Sequence, residues 1–592
     1  MNKIMTANDA VARGAFESGI KVATGYPGTP STSIIDNIQQ DYQNIYCEWS
    51  VNEKVALEVA MGASFSGARS LVVMKTVGLN VAHDALISAA QSQINGGLVI
   101  VVADDVGRIT DDYNDCRYYG KSAGVPILEP SDSSDALKLT KFAFKLSELY
   151  SLPVLIRLTT VTCKTSSIVD FDEKYKYSEV RNLKYKKSCY AVLTTTTMIG
   201  MKNNSNPKVT NFNNDFIGSM DRLKDRLSDN SNINPIELND KKIGFITSGS
   251  SYFYLKEILP QASILKLGAV HPLPLGLIKK ISNHVDKLYV IEDGQAIIES
   301  EIKSMGINIE NDLNLKKFPN FTFFTPEIIK SIFLPSAEIM QPLEGVPFRL
   351  PMNCAGCSHL FVYHILKKYR FKATTDVTCG GLGIFPHINA FTNAKHMGSS
   401  IGIAHGYNCA SNNQEKYIAV IGDGGFWATG INGLINLTFN KGNTKVIIVD
   451  NQCIAMTGGQ NVPSTESDRT FSLSIKDTCE SLGISDVIEV DPYQIEDFEQ
   501  KVVSAINRDG NGVIIVKKEC LVKYKPSKTG ICVINQDSCL KCKACIQISC
   551  PALEILEDNQ GEKIHIDEDL CIGCKLCLSN CRNGAISYET VQ

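Results

Sequence analysis

From residue 1 to about 165 the chain alternates between two kinds of segment. In NDAVARGAFESG and NEKVALEVAMGASFSG apolar residues recur every three or four positions, while SLVVMK, GGLVIVVAD and PVLIRLTT are short continuous apolar runs. The first period lines up one face of a helix; the second kind suits a strand buried on both sides. Their alternation predicts a parallel sheet covered by helices. From about 166 to 240 the sequence is polar, rich in Asn, Lys and Ser, and weakly periodic, which predicts a partly mobile connecting segment. Helix and strand patterns return over 241–335, with KKIGFITSGS, ASILKLG and KLYVIEDG. A Pro-rich stretch, LPSAEIMQPLEGVPFRLP, reads as a linker. A second α/β unit is expected over 345–525, its strands including KYIAVIG, TKVIIVDN and GVIIVKK, and residues 531–592 hold a dense set of cysteines. The expected architecture is multidomain α/β with doubly wound parallel sheets, followed by a small α+β domain.

A net charge of −4, from 59 Lys and Arg against 63 Asp and Glu, gives no basic footprint for nucleic acid. The N-terminus lacks the apolar core of a signal peptide, and no apolar run approaches the ~20 residues of a membrane span. These features predict a cytoplasmic protein with no membrane contact. A reducing compartment fits the 20 cysteines only if they are ligands or free thiols rather than disulfides.

Eight of them form two runs. The first is Cys539, Cys542, Cys545 and Cys550, followed by Pro551; the second is Cys571, Cys574, Cys577 and Cys581. A CxxCxxC loop wraps three thiolates around three irons of a cube, and in two-cluster ferredoxins the fourth cysteine of each run serves the other cluster. Cys539, Cys542, Cys545 and Cys581 are therefore expected to hold one 4Fe-4S cluster, and Cys571, Cys574, Cys577 and Cys550 the other. Zinc is the competitor, but zinc sites use paired CxxC units rather than two triplets with trailing cysteines. The first run has one residue more than usual before its last Cys, and Arg582 stands where a Pro usually follows the second.

A second constellation lies at 416–451. A strand pattern ends at Gly422-Asp423-Gly424, a helix pattern follows, and the next strand ends at Asp450-Asn451. Parallel strands put both ends on the ligand-binding carboxyl edge of a sheet, so Asp423 and Asn451 can meet over one Mg²⁺. Gly422 and Gly424 leave room for phosphate oxygens. A GDG by itself is usually only a strand-to-helix turn. With an Asn 28 positions after the Asp it resembles the thiamine diphosphate fingerprint, which adds a metal-binding backbone carbonyl, here at Cys453.

Other segments extend the resemblance. MNCAGCSH at 352–359, with Gly356, Cys357 and His359, is similar to the CPGCxH segment of ferredoxin-linked 2-oxoacid oxidoreductases. Zinc or redox chemistry at Cys354 and Cys357, and a structural role for His359, are the alternatives. MGSSIGIAHG at 397–406, with Met397, Gly398 and Ser399, is similar to their diphosphate-side loop; the helix start at Ser399 and Ser400 is expected to offer free N–H groups to an anion. Glu53 opens a helix in a segment similar to the one whose Glu exchanges a proton with the cofactor's aminopyrimidine ring; Glu58 and Glu48 are alternatives. GYPGTPST at 25–32 resembles the YPxTP loop, with Thr29 near the substrate or merely a helix cap. Arg117 resembles a position near the substrate carboxylate, with a salt-bridged surface Arg as the alternative, and His83 is a weaker pocket candidate.

Nearly end to end the chain resembles the thiamine diphosphate-dependent 2-oxoacid:ferredoxin oxidoreductases, specifically alpha subunits of the indolepyruvate type; residues 166–240 match poorly. The resemblance implies a pyrimidine-binding domain (1–165), the connecting segment (166–240), a transketolase C-terminal-like domain (241–335), a pyrophosphate-binding domain (345–525) and a two-cluster ferredoxin-like domain (531–592). It implies oxidative decarboxylation of aryl pyruvates to acyl-CoA and CO₂, with thiamine diphosphate and Mg²⁺ between the pyrimidine and pyrophosphate domains. Electrons would leave through two 4Fe-4S clusters to an external ferredoxin. A smaller beta subunit, two copies of each chain and coenzyme A complete the expectation. A non-oxidative thiamine decarboxylase or carboligase, and an electron-transfer subunit without its own active site, are the competing readings; the former needs no electron acceptor.

Overall fold

A computed structural model describes residues 2–92, 94–106, 114–173, 175–180, 212–310, 323–334, 345–346, 350–411, 415–466, 471–558 and 561–590. The chain forms two units, Met1–Leu343 and Glu344–Gln592.

In the first unit, strands β1 to β13 in chain order are Asn2–Thr6, Val22–Gly25, Tyr46–Trp49, Ser70–Lys75, Leu98–Asp104, Ile127–Leu128, Val154–Thr159, Ser166–Asp170, Ile236–Glu237, Ile243–Ser248, Ser263–Leu267, Ala269–His271 and Lys287–Ile291. The main sheet has the order β12-β6-β7-β5-β4-β2-β3 and is parallel except where β12 joins β6. All seven residues of β5 and all six of β7 are buried, as expected of Val- and Ile-rich strands covered on both faces. Separate apolar clusters fill the two faces, one under helices Ala7–Glu17 and Ser133–Tyr150, the other under Glu53–Phe65 and Thr76–Gln91. A smaller sheet, β13-β10-β11-β9, is parallel apart from β9.

The segment after residue 165 is more regular than its composition suggests. β8 pairs antiparallel with β1, and Phe212–Ser228 is a helix that buries Met220, Leu223 and Leu227 in the core. Val169 is the one fully buried residue of β8, so no apolar alternation marks the strand. Residues 174 and 181–211, where mobility is expected, lie outside the described residues, as does most of the Pro-rich linker.

In the second unit, β14 to β19 are Lys372–Asp376, Asn393–Lys395, Tyr417–Gly422, Lys445–Asp450, Val487–Val490 and Gly512–Lys517. They form a wholly parallel sheet in the order β15-β14-β16-β17-β19-β18. The cysteine-rich end adds two antiparallel pairs, Gly530–Ile534 (β20) with Ile586–Thr590 (β23), and Leu553–Asp558 (β21) with Gly561–Ile566 (β22). Among the described residues no helix is long and apolar enough to cross a membrane.

Candidate active site

Strand order builds the first part of the site. β14, β16, β17 and β19 are parallel neighbours, so the residues following each strand emerge on one edge. Those residues include Cys379, Asp423, Asn451 with Cys453, and Cys520. Asp423 and Asn451 converge as their spacing predicts: Asp423 Oδ2 and Asn451 Oδ1 both accept from the Cys453 N–H, at 3.1 and 3.2 Å. Gln452 makes this possible by turning the chain in the left-handed region, φ 61°. Asp423 is buried, and burial together with the neighbouring Asp450 carboxylate pushes its carboxyl well above the ordinary range. A divalent cation would let both carboxylates ionise. A carboxylate and a carboxamide oxygen brought together on one sheet edge are a donor set of the kind a hard ion such as Mg²⁺ takes. Gly422 faces open space, with only Thr378 Oγ1 as close as 4.0 Å to a Cβ built there. The helix after Asp423 continues through a π-helical turn, Phe426–Gly430, a distortion frequent at functional sites.

The helix Ser399–Ala410 corrects one expectation, because its first N–H groups are not free for an anion. Gly398 N and Ser400 N donate to Asp376, at 2.5 and 2.8 Å, and Ser399 N donates to the His396 carbonyl. Asp376 is a buried acid at the end of β14, its carboxyl pushed up to about 6 by burial. Its partnership was invisible in sequence because 22 residues separate Asp376 from Gly398. Met397 holds the adjacent turn by accepting from Thr429 Oγ1 at 3.0 Å.

The same edge gathers thiols that sequence reasoning left scattered. Cys354, Cys357, Cys379 and Cys520 stand close enough to influence one another's ionisation. Burial pushes Cys357 and Cys379 up to about 12, whereas a hydrogen bond from Cys453 draws Cys520 down to about 6. Asn353 Nδ2 and Tyr363 Oη donate to the Cys379 carbonyl, and Cys520 N donates to the Asn451 carbonyl. The thiols are thereby tied to the metal edge. Among the described residues the one group of three His, Cys, Asp or Glu ligand atoms within 4.8 Å of one another is Asp104, Asp115 and Cys116. The four thiols are thus not drawn together as tightly as the ligands of a single zinc ion. The missed signal was a Cys following the β14 and β19 strand ends. His359 is buried beside Cys357, Nδ1 to Sγ 3.4 Å, and burial pushes its imidazole down to about 4.

The eight C-terminal cysteines divide between two cavities. One is lined by Cys539, Cys542, Cys545 and Cys581; the other by Cys550, Cys571, Cys574 and Cys577. Gly356, in the Cys354–Cys357 loop, lines the second cavity. A side chain there would collide with Ile572, 2.2 Å from a Cβ built on Gly356.

In the first unit Glu53 begins a helix capped by Asn52, whose side chain accepts from Val55 N. Its carboxyl rests on Gly78, where an added Cβ would lie 2.5 Å from Oε1. Burial raises it to about 7 from an ordinary 4.5, against the pull of its own N–H and of Lys75. The alternatives are engaged elsewhere. Glu58 is exposed and paired with Lys54, and Glu48 accepts from Tyr46 Oη and Ser50 Oγ. Thr29 is exposed on the loop after β2, on the same carboxyl edge as Glu53. His83 contacts Ser122 Oγ at 3.0 Å and packs edge-on to Tyr119.

Arg117 requires a correction. It is 1% exposed and donates to Asp115, to Glu292 and to the carbonyls of Asp293 and Gln295, so its guanidinium is committed within the chain rather than to a substrate or a surface partner. Arg157 completes this buried network through Asp104 and Glu129. Gly294, at φ 98°, is needed beside it, since a Cβ would lie 2.6 Å from Asp115 Oδ2.

Residues 13–226 match the family model for pyruvate flavodoxin/ferredoxin oxidoreductase, thiamine diphosphate-binding. Residues 382–516 match the thiamine pyrophosphate enzyme C-terminal TPP-binding domain, and 564–587 the 4Fe-4S binding domain. The indolepyruvate oxidoreductase subunit IorA of Methanothermobacter thermautotrophicus is 31% identical, over 99% of this chain and 97% of its own length. The subunit of the same name from Thermococcus kodakarensis is 32% identical, over 98% and 96%. The chain belongs to the IorA family. This IorA-family chain is an oxidoreductase that carries thiamine diphosphate-binding and 4Fe-4S domains.

Proposed function

We propose that this chain is the catalytic subunit for ferredoxin-dependent oxidative decarboxylation of aryl pyruvates such as indolepyruvate, yielding acyl-CoA and CO₂. The observation that carries this reading is the continuity of sulfur from cofactor edge to ferredoxin cavities. Cys379 and Cys520 leave the same sheet edge as Asp423 and Asn451, and the loop joining Cys354 to Cys357 lines the second cavity through Gly356. A decarboxylase that simply protonates its product has no use for such a path.

Asp423, Asn451 and the Cys453 carbonyl would hold Mg²⁺, and Gly422 would give the diphosphate room. Thiamine diphosphate, when bound, supplies the nucleophilic carbon that attacks a 2-keto group and the electron sink for loss of CO₂. Glu53, neutral up to about pH 7, holds the proton exchanged with the aminopyrimidine ring. Cys354, Cys357, Cys379 and Cys520 would hold a further cluster. The cavity partition supports crossed ligation of two more, giving three where sequence reasoning counted two. The full-length relatives are named as subunits, which supports a smaller partner chain, with coenzyme A and an external ferredoxin as co-reactants. The test is an anaerobic substrate panel on the chain co-expressed with that partner. Coenzyme A-dependent ferredoxin reduction with indolepyruvate ahead of pyruvate and 2-oxoglutarate is expected; preference for an aliphatic 2-oxoacid would remove the aryl assignment.

A further inference from the structure

The second ferredoxin cavity contains a fifth thiol. Cys532 belongs to neither CxxCxxC run, yet it lines this cavity with Cys550, Cys571, Cys574 and Cys577. It is 1% exposed, on β20, held in register opposite Tyr588 of β23. Its backbone N–H donates to Cys571 Sγ at 3.3 Å, and its side chain lines the same cavity as Cys571 and Cys577. The first cavity has no such group from the same strand: there β20 presents Ile534, two residues on and on the same face.

Four thiolates complete the ligation of a cube, so the fifth is left as a donor. An S–H is a weak donor, but here it stands in an apolar enclosure where the competing solvent is excluded. Hydrogen bonds to ligating sulfur stabilise the more negative, reduced form of a cluster and raise its potential. We infer that Cys532 is a tuning residue that raises the reduction potential of the cluster held by Cys550, Cys571, Cys574 and Cys577, and leaves that of the Cys539 cluster unchanged. The inference rests on the two-cluster reading of this domain. Its consequence is an asymmetry between two otherwise similar clusters: the one beside the Gly356 loop is the easier to reduce, and draws electrons from the cofactor edge.

The experiment is an anaerobic redox titration followed by electron paramagnetic resonance on the full complex, comparing native protein with Cys532→Ala and Cys532→Ser. The centre that disappears in Cys574→Ala identifies the second cluster. Cys532→Ala is expected to keep full iron and sulfide and shift that centre alone to a lower potential, while Cys532→Ser, which retains an O–H donor, returns it toward the native value. Unchanged potentials in the Ala variant, an equal shift of both centres, or loss of the second cluster's iron would each overturn the inference; the last would make Cys532 part of the ligation. A native complex lacking the second cluster would overturn the two-cluster reading as well.

Discussion

Glu53→Gln separates the chemistry of the carboxyl from its shape. Raising a carboxyl from 4.5 to about 7 corresponds to at most about 3 kcal/mol, at 1.36 kcal/mol per pH unit. The sign follows from linkage. Between these two values the folded chain holds a proton that the unfolded chain has released. Stability is therefore intact below 4.5, falls as pH rises from there through about 7, and above that carries the full cost of a desolvated charge. Gln is neutral throughout, so the variant should match the native chain at pH 4 and be more thermostable at pH 8. Turnover should fall by roughly 10²–10⁴-fold, because Gln cannot pass a proton. Thermal unfolding of the cofactor-free chain at both pH values, with single-turnover kinetics on the loaded complex, reads both effects. A variant with near-native turnover, or one no more stable at pH 8 than at pH 4 relative to native, would refute the argument that Glu53 is a desolvated, proton-holding acid.

Gly78→Ala should act through the same carboxyl: the new methyl overlaps Oε1, so turnover should drop at least tenfold, with overpacking costing about 1–3 kcal/mol, measured by denaturant unfolding and kinetics. Asp423→Ala and Asn451→Ala should each abolish Mg²⁺-dependent retention of thiamine diphosphate on gel filtration while the iron content stays native. Cys379→Ala should remove one cluster's worth of iron and leave the two ferredoxin-type signals. Cys550→Ala should damage the centre shared with Cys571, Cys574 and Cys577 and spare the Cys539 centre.

The α/β class and the family were legible because they rest on short-range signals: apolar periods within ten or so residues, and cysteines three apart. Asp423 and Asn451 could be placed together because adjacent parallel strands carry them, with one helix between. Cys379 and Cys520 share that edge, but 141 residues separate them, and only the strand order β14-β16-β17-β19 brings them together. The same limit hid Asp376, whose occupation of the Gly398 and Ser400 N–H groups depends on β14 ending under a distant helix. Arg117 misled for a different reason. A charged residue is rarely buried unless paired, and its partner Glu292 comes from the far end of the first unit. Strand β8 escaped notice because an exposed pair leaves almost no apolar signature.

The central claim is that carbon chemistry at thiamine diphosphate is coupled to sulfur-borne electrons in this chain. It is tested most directly by mixing the cluster-loaded complex anaerobically with indolepyruvate, coenzyme A and oxidised ferredoxin, and measuring CO₂, acyl-CoA and reduced ferredoxin together. The account predicts one acyl-CoA and one electron pair on ferredoxin for each CO₂, with all three absent when ferredoxin is withheld after the first turnover. Sustained CO₂ release with an equal amount of aldehyde, at a rate indifferent to ferredoxin and coenzyme A, would contradict it.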